Sequence, residues 1–197
     1  MNIFKLYFLP KIMSEITKIR RYFCLIALFL SVFLIFPNPA SASINDDRYD
    51  GNIFVVYAGN GSLVPAQFTL KQTLAVNKPA ILVFYVDDSS DCKKFALIVN
   101  QVQAYYGRAA EIIPVDVDAI SPETKYSSLE PGYYYTGGVP QVVIFNQSGD
   151  MVFNDKGDIA FEKIDDKLRE VFNLLPRDES VELKRRSFNE LNSELTE

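Results

Sequence analysis

Ala80-Ile81-Leu82-Val83-Phe84-Tyr85-Val86-Asp87-Asp88-Ser89-Ser90-Asp91-Cys92 decides how this chain is read. Seven consecutive apolar residues, 80–86, predict a strand buried on both faces, as in a central strand covered by helices. The polar turn after it opens a helix. Phe95, Ile98, Val99, Val102, Tyr105 and Tyr106 share one face at helical spacing. Ser90 or Asp91 is placed to cap that helix, and Gly107 to stop it. Further on, Gly138-Val139-Pro140 precedes another strand, 141–146.

Outward from this unit, 111–117 reads as a strand interrupted by Pro114. Proline cannot donate to a ladder, so a bulge or an edge position is expected there. Residues 53–57 are β-prone and closed by Gly59-Asn60-Gly61, and 68–76, with apolar residues at 70, 74 and 75, suit a short helix. Residues 121–132 read as loop. Ser148-Gly149-Asp150 turns 141–146 back into an antiparallel partner, 151–154. A closing helix carries Phe161, Ile164, Leu168, Val171, Phe172 and Leu175, and Pro176 ends it. The order β–α–β–α–β–β–α argues a central mixed sheet flanked by helices, an α/β fold.

The 197 residues allow one domain with extensions, which we place at 1–42, 43–52, 53–176 and 177–197. Lys18, Arg20 and Arg21 precede the apolar run 22–36, Pro37-Asn38-Pro39 breaks it, and Ala40-Ser41-Ala42 follows. A basic region, a short apolar run and small residues at this spacing form an export signal, cut after Ala42 or kept as an uncleaved membrane anchor. Cys24 begins the apolar run, unlike a lipoprotein cysteine, and reads as a small hydrophobe. Residues 177–197 are charged, with Val181, Phe188, Leu191 and Leu195 at loosely helical spacing. Within them Lys184-Arg185-Arg186 is flanked by Glu179, Glu182 and Glu190, the pattern of a solvated helix face.

Composition excludes several chemistries. The chain has no histidine and two cysteines, Cys24 and Cys92. That leaves neither a zinc site of the usual ligands nor a histidine-based triad, and no glycine-rich phosphate loop appears. No metal and no cofactor are expected. Beyond residue 42 there are 15 bases and 24 acids, net −9, which argues against nucleic acid as a partner. A single cysteine there cannot form an internal disulfide, so packing alone must hold the domain.

The run 80–175 resembles the greater part of a thioredoxin domain. The resemblance rests on Ile81-Leu82-Val83-Phe84-Tyr85, the turn ending in Cys92-Lys93, Val115-Asp116-Val117-Asp118, Gly138-Val139-Pro140 and the final hairpin and helix. It implies a cis Val139-Pro140 bond beside the active-site turn, holding backbone edges open to an extended peptide. The chain departs from the family where the chemistry lies. Ser89 stands at the first cysteine position, the family's buried acid falls at Phe84, and no tryptophan precedes the turn. Dithiol exchange needs one thiol to attack and one to resolve, and serine does neither. Cys92 then reads as a packed cysteine. The alternative is a thiol-disulfide oxidoreductase or monothiol sensor using Cys92, its thiolate favoured by Lys93, Lys94 and the helix dipole.

A narrower resemblance covers most of the chain beyond residue 42. Asp46-Asp47-Arg48-Tyr49-Asp50-Gly51-Asn52-Ile53, Tyr57-Ala58-Gly59-Asn60-Gly61-Ser62-Leu63-Val64-Pro65, Glu130-Pro131-Gly132-Tyr133-Tyr134-Tyr135 and Ser180-Val181-Glu182-Leu183-Lys184-Arg185-Arg186-Ser187 are similar to a cyanobacterial group. Its members are thioredoxin-like thylakoid membrane proteins described as photosystem I accumulation factors. The resemblance implies a non-enzymatic assembly role at the thylakoid membrane or in its lumen; a periplasmic location is the alternative. The implied partners are photosystem I subunits or assembly intermediates, with membrane association through the N-terminal segment.

Ser89, Ser90, Asp91, Cys92, Tyr133, Tyr134, Tyr135, Val139 and Pro140 make up the expected partner-binding surface. Tyrosines suit such a surface because they join apolar area to a polar tip. At least one of the three is expected to point inward. Asp87, Asp88 and Asp91 make the turn acidic, which suits a solvated loop with one helix cap, or a basic partner segment.

Overall fold

The computed structural model describes residues 4–35 and 42–180. The chain forms two units, divided after Ser41. The first contains one long helix, α1 (Phe4–Ile35), on which Tyr22, Phe23, Leu25, Ile26 and Leu28 are exposed. Among the described residues, no helix is long and apolar enough to cross a membrane. The proposed tail helix, with Lys184-Arg185-Arg186, and the small residues Ala40-Ser41 lie outside the described residues.

The second unit is built on a four-stranded sheet in the order β2-β1-β3-β4, where β1 is Ala80–Tyr85, β2 Glu111–Asp116, β3 Gln141–Phe145 and β4 Met151–Lys156. Strand β1 pairs parallel with β2 and antiparallel with β3, and β3 pairs antiparallel with β4. Every residue of β1 is buried, as its unbroken apolar run requires for a strand covered on both sides. Ile81, Val83 and Tyr85 share a core cluster with residues of α4 (Ser90–Tyr106) and α5 (Phe161–Val171), while Ala80, Leu82 and Phe84 pack with Leu70 of α3 (Leu70–Ala75). Helix α3 begins with a reciprocal cap between Thr69 and Gln72.

Pro114 occupies the edge position of the two expected. It lies opposite Val83 in β2, an outer strand of the sheet, where a missing donor costs no ladder bond.

The strand expected at 53–57 does not form. Residues Ile53–Val56 make a one-turn helix, α2. Asn52 Oδ1 caps it by accepting from Phe54 N at 3.1 Å, and Ile53 N donates to Asp87 Oδ1 at 2.9 Å. Ile53 and Phe54 are both buried while Val55 and Val56 are exposed. Two adjacent residues facing inward fit a helical turn and break the alternation of a strand. Tertiary anchoring here outweighs β-propensity.

Candidate functional site

The site lies at the carboxyl end of β1. Gln141 is paired with Phe84, which sets Pro140 beside Tyr85, the last residue of the strand that feeds the Ser89–Cys92 turn. Val139 packs against both core clusters, and the Val139-Pro140 bond is cis. A second cis bond joins Val64 and Pro65.

Ser89 is the N-cap of α4: its Oγ accepts from Cys92 N at 3.3 Å. This corrects the assignment of the cap to Ser90 or Asp91. Asp91 is exposed in the first turn, with Lys94 Nζ 4.0 Å from its carboxylate. A second acceptor reaches the same helix end from outside, since Ser90 N donates to Asp47 Oδ1 at 2.7 Å. That bond lowers the Asp47 pKa. The free N–H groups of a helix start attract anions, and here an aspartate and a serine oxygen take up two of them, Ser90 N and Cys92 N.

Cys92 is 1% exposed and belongs to the cluster of Val83, Tyr85 and Phe95. Burial pushes its thiol above the ordinary value of 9.0. The expectation that Lys93 and Lys94 favour a thiolate is corrected. The Lys93 ammonium is directed at the lead-in segment, as described below, and Lys94 is exposed beside Asp91. An alkylating reagent at pH 7.5 is expected to leave Cys92 unmodified in the folded protein over minutes and to label it fully in 8 M urea (about the usual denaturing concentration), read by intact mass. Rapid labelling of the folded protein would refute the buried thiol.

Phe84 does not lie under the turn as expected. It sits on the opposite sheet face from Cys92, because side chains alternate along a strand and a one-residue offset changes face. On the side of Cys92, β1 presents Val83 and Tyr85. Neither is a carboxylic acid, so the absence of the proton-transfer group stands at the corrected position. Burial raises the Tyr85 hydroxyl to about 12, with Asn52 Nδ2 donating to it at 3.0 Å.

The three tyrosines divide. Tyr133 is 55% exposed. Tyr134 is half-buried, edge-on to Phe145 at 4.9 Å, and its hydroxyl donates to Ser128 O at 2.8 Å. Tyr135 lies 5.5 Å from the Phe84 ring. The buried side chain of Gln141 holds this loop in place. Its Nε2 donates to Tyr134 O and Asn154 Oδ1, both at 2.8 Å, and its Oε1 accepts from Thr136 N at 3.0 Å.

The residue that sequence reasoning missed is Lys93. It is 0% exposed, and its ammonium donates to the carbonyl oxygens of Ser43 (3.1 Å), Asp46 (2.9 Å) and Arg48 (2.6 Å) and to Asp50 Oδ2 (2.8 Å). The Tyr57 ring lies 5.4 Å from Nζ, and its hydroxyl donates to Asp50. Burial alone would favour the neutral amine, but hydrogen bonds with Asp50, Asp46 and Tyr57 outweigh it and raise the lysine pKa. In return, the bond from Lys93 holds Asp50 down at about 2. The lead-in is therefore a strap fastened across the start of α4. The one available signal was a lysine at a position of α4 adjoining the apolar stripe.

Among the described residues, no cluster of acidic or cysteine side chains is arranged to hold a metal ion. The arrangement offers a cis-proline loop with one exposed tyrosine, beside a turn in which Ser89 Oγ, Ser90 N and Cys92 N are paired and Asp91 is exposed.

The family described as "Thioredoxin-like domain" matches residues 67–172. The chain is 56% identical over 158 residues, 80% of this chain and 79% of the relative, to a protein of the cyanobacterium Synechocystis named thylakoid membrane protein slr1796. Among solved structures, a mutant thioredoxin of Halobacterium salinarum is similar at 21% identity and a TM-score of 0.41, covering 52% of this chain and 83% of that one. The exposed lipoprotein thioredoxin of Streptococcus pneumoniae is similar at 14% and 0.39, covering 54% and 96%. With the family match spanning more than half of its residues, the chain belongs to the thioredoxin-like domain family and is a homologue of a cyanobacterial thylakoid membrane protein.

Proposed function

We propose that this protein is a redox-inactive thioredoxin-like binding factor that supports photosystem I accumulation at the thylakoid membrane. The observation that carries the loss of redox chemistry is the state of the turn: Ser89 is committed to a cap and Cys92 is sealed in the core. A buried, protonated thiol is a poor nucleophile, and residues 42–197 carry no second thiol to resolve a mixed disulfide. The name of the Synechocystis relative supports the thylakoid location. The photosystem I role follows from the sequence resemblance. The N-terminal segment delivers the domain across the membrane, and the loop of Tyr133, Val139 and Pro140 receives an extended protein segment.

Crosslinking in thylakoid membranes followed by affinity purification tests this reading. Photosystem I subunits are expected at crosslinks mapped to 133–140, and their absence there sinks it. Tyr133→Ala is expected to weaken capture about tenfold, the scale of one interface anchor, with stability nearly unchanged. Cys92→Ser is expected to leave photosystem I levels intact. Loss of function in that variant, or reduction of a disulfide substrate by the purified protein, would replace the binding factor with a thiol enzyme.

A further inference from the structure

The strap begins at the residue that an export peptidase would expose. Ala42 closes the small-residue pattern Ala40-Ser41-Ala42, and it is exposed, while Ser43 is half-buried. Ser43 is held at both backbone atoms. Its carbonyl oxygen accepts from Lys93 Nζ at 3.1 Å, and its N–H donates to Asp50 Oδ2 at 3.3 Å. That oxygen also accepts from Lys93 and from the Tyr57 hydroxyl.

We propose that cleavage between Ala42 and Ser43 completes the strap, the new α-ammonium of Ser43 becoming a second cation on the Asp50 carboxylate beside Lys93. Water is the co-reactant, and the catalyst is a peptidase of the class that cuts after small residues. Water's hydroxyl adds to the Ala42 carbonyl carbon, the C–N bond breaks, and the Ser43 nitrogen takes the remaining hydrogen. A further proton from solvent makes it the ammonium.

Before the cut, the nitrogen offers Asp50 one neutral amide hydrogen. Afterwards it offers a full charge and three hydrogens, and charge-assisted bonds are roughly twice as strong as neutral ones. The receiving site suits this change. Asp46 and Asp50 supply two negative charges, while Lys93 is the sole fully buried cation there; Arg48 pairs with Asp46 from an exposed position. Maturation and fastening of the strap over α4 are thereby linked. The inference rests on the export part of the proposed function and is independent of the partner.

The test uses protein recovered from the thylakoids of the native host. Its intact mass is expected to correspond to a start at Ser43; retention of residues 1–42, or a different start, overturns the proposal. On the same mature protein, the α-amine is reductively methylated with a carbon-13 label and titrated by NMR. A raised value is expected, at least about one unit above the ordinary 7.7–8.0, which is a tenfold preference for the charged form. Asp50→Asn should return it to the ordinary range. An amine that titrates ordinarily in the unmutated protein overturns the proposal whether or not the variant folds.

Acetylation of the α-amine should lower the thermal midpoint. A raised folded pKa contributes stability that is full below the unfolded value and lost as pH rises through the folded one. The gap between mature and acetylated protein should therefore close in strongly alkaline solution. Failure of the crosslinking experiment above would leave these readouts untouched.

Discussion

Lys93→Met is expected to lower the midpoint of thermal unfolding by roughly 10 °C, the scale of breaking a buried ion pair in a domain of this size. Methionine fills the volume of the lysine stem and removes only the ammonium. Three carbonyl oxygens, of Ser43, Asp46 and Arg48, then lose their donor, and Asp50 keeps only Tyr57 and the Ser43 nitrogen. Lys94→Met is the control: Lys94 is exposed and loosely paired, so its midpoint should move by no more than about 2 °C.

The acid side of the stability profile tests the same contact. Lys93 holds Asp50 at about 2, below the ordinary carboxylate value of 3.8. A depressed pKa contributes stability that is present above the unfolded value and lost as pH falls through the folded one. In the Lys93→Met variant Asp50 loses the largest cause of that depression and keeps the bonds from Tyr57 and Ser43, so acid unfolding should begin at a higher pH than in the parent protein. Limited proteolysis should cut within 43–51 in the variant first. Equal midpoints and equal cutting would show that the strap is held by something else.

Phe84→Ala is expected to cost about 3–5 kcal/mol, the range for a phenylalanine truncated in a closed core. Phe84 is fully buried among Leu70, Leu82 and Val143, and Tyr135 leans on its ring. The cavity would sit behind the loop that carries Tyr133 to Pro140, so the variant should also lose partner capture at temperatures where it remains folded. Urea titration reads the first effect as a lower midpoint at unchanged slope. Tyr135→Ala, at a half-buried position, should cost less than Phe84→Ala, and the reverse order would contradict the packing described for this face.

Local signals carried much of the architecture. The unbroken apolar run of β1, the helical spacing of α4 and the turn before β4 each depend on neighbours within a few positions. Pro114 marked a bulge or an edge because proline lacks a donor whatever surrounds it, and the strand order made it the edge. Residues 53–57 misled because β-branched and aromatic residues favour strands only where a pleated surface awaits them, and here Asn52 and Asp87 supply a helix start. Phe84 misled by one position because counting along a strand gives the face only when the register is known.

The chain by itself determined the scaffold and the missing dithiol. Residue identity alone states that Ser89 is a hydroxyl and that one cysteine lies beyond residue 42. Tertiary structure alone decided what became of the turn. Lys93 reads in sequence as one of two adjacent cations favouring the Cys92 thiolate, yet its ammonium is enclosed by groups 43 to 50 positions earlier in the chain. Asp47 likewise reaches Ser90 across 43 positions to fill the helix start. Periodicity reports which face of an element is buried. It carries no record of which distant carbonyls and carboxylates make burying a charge affordable.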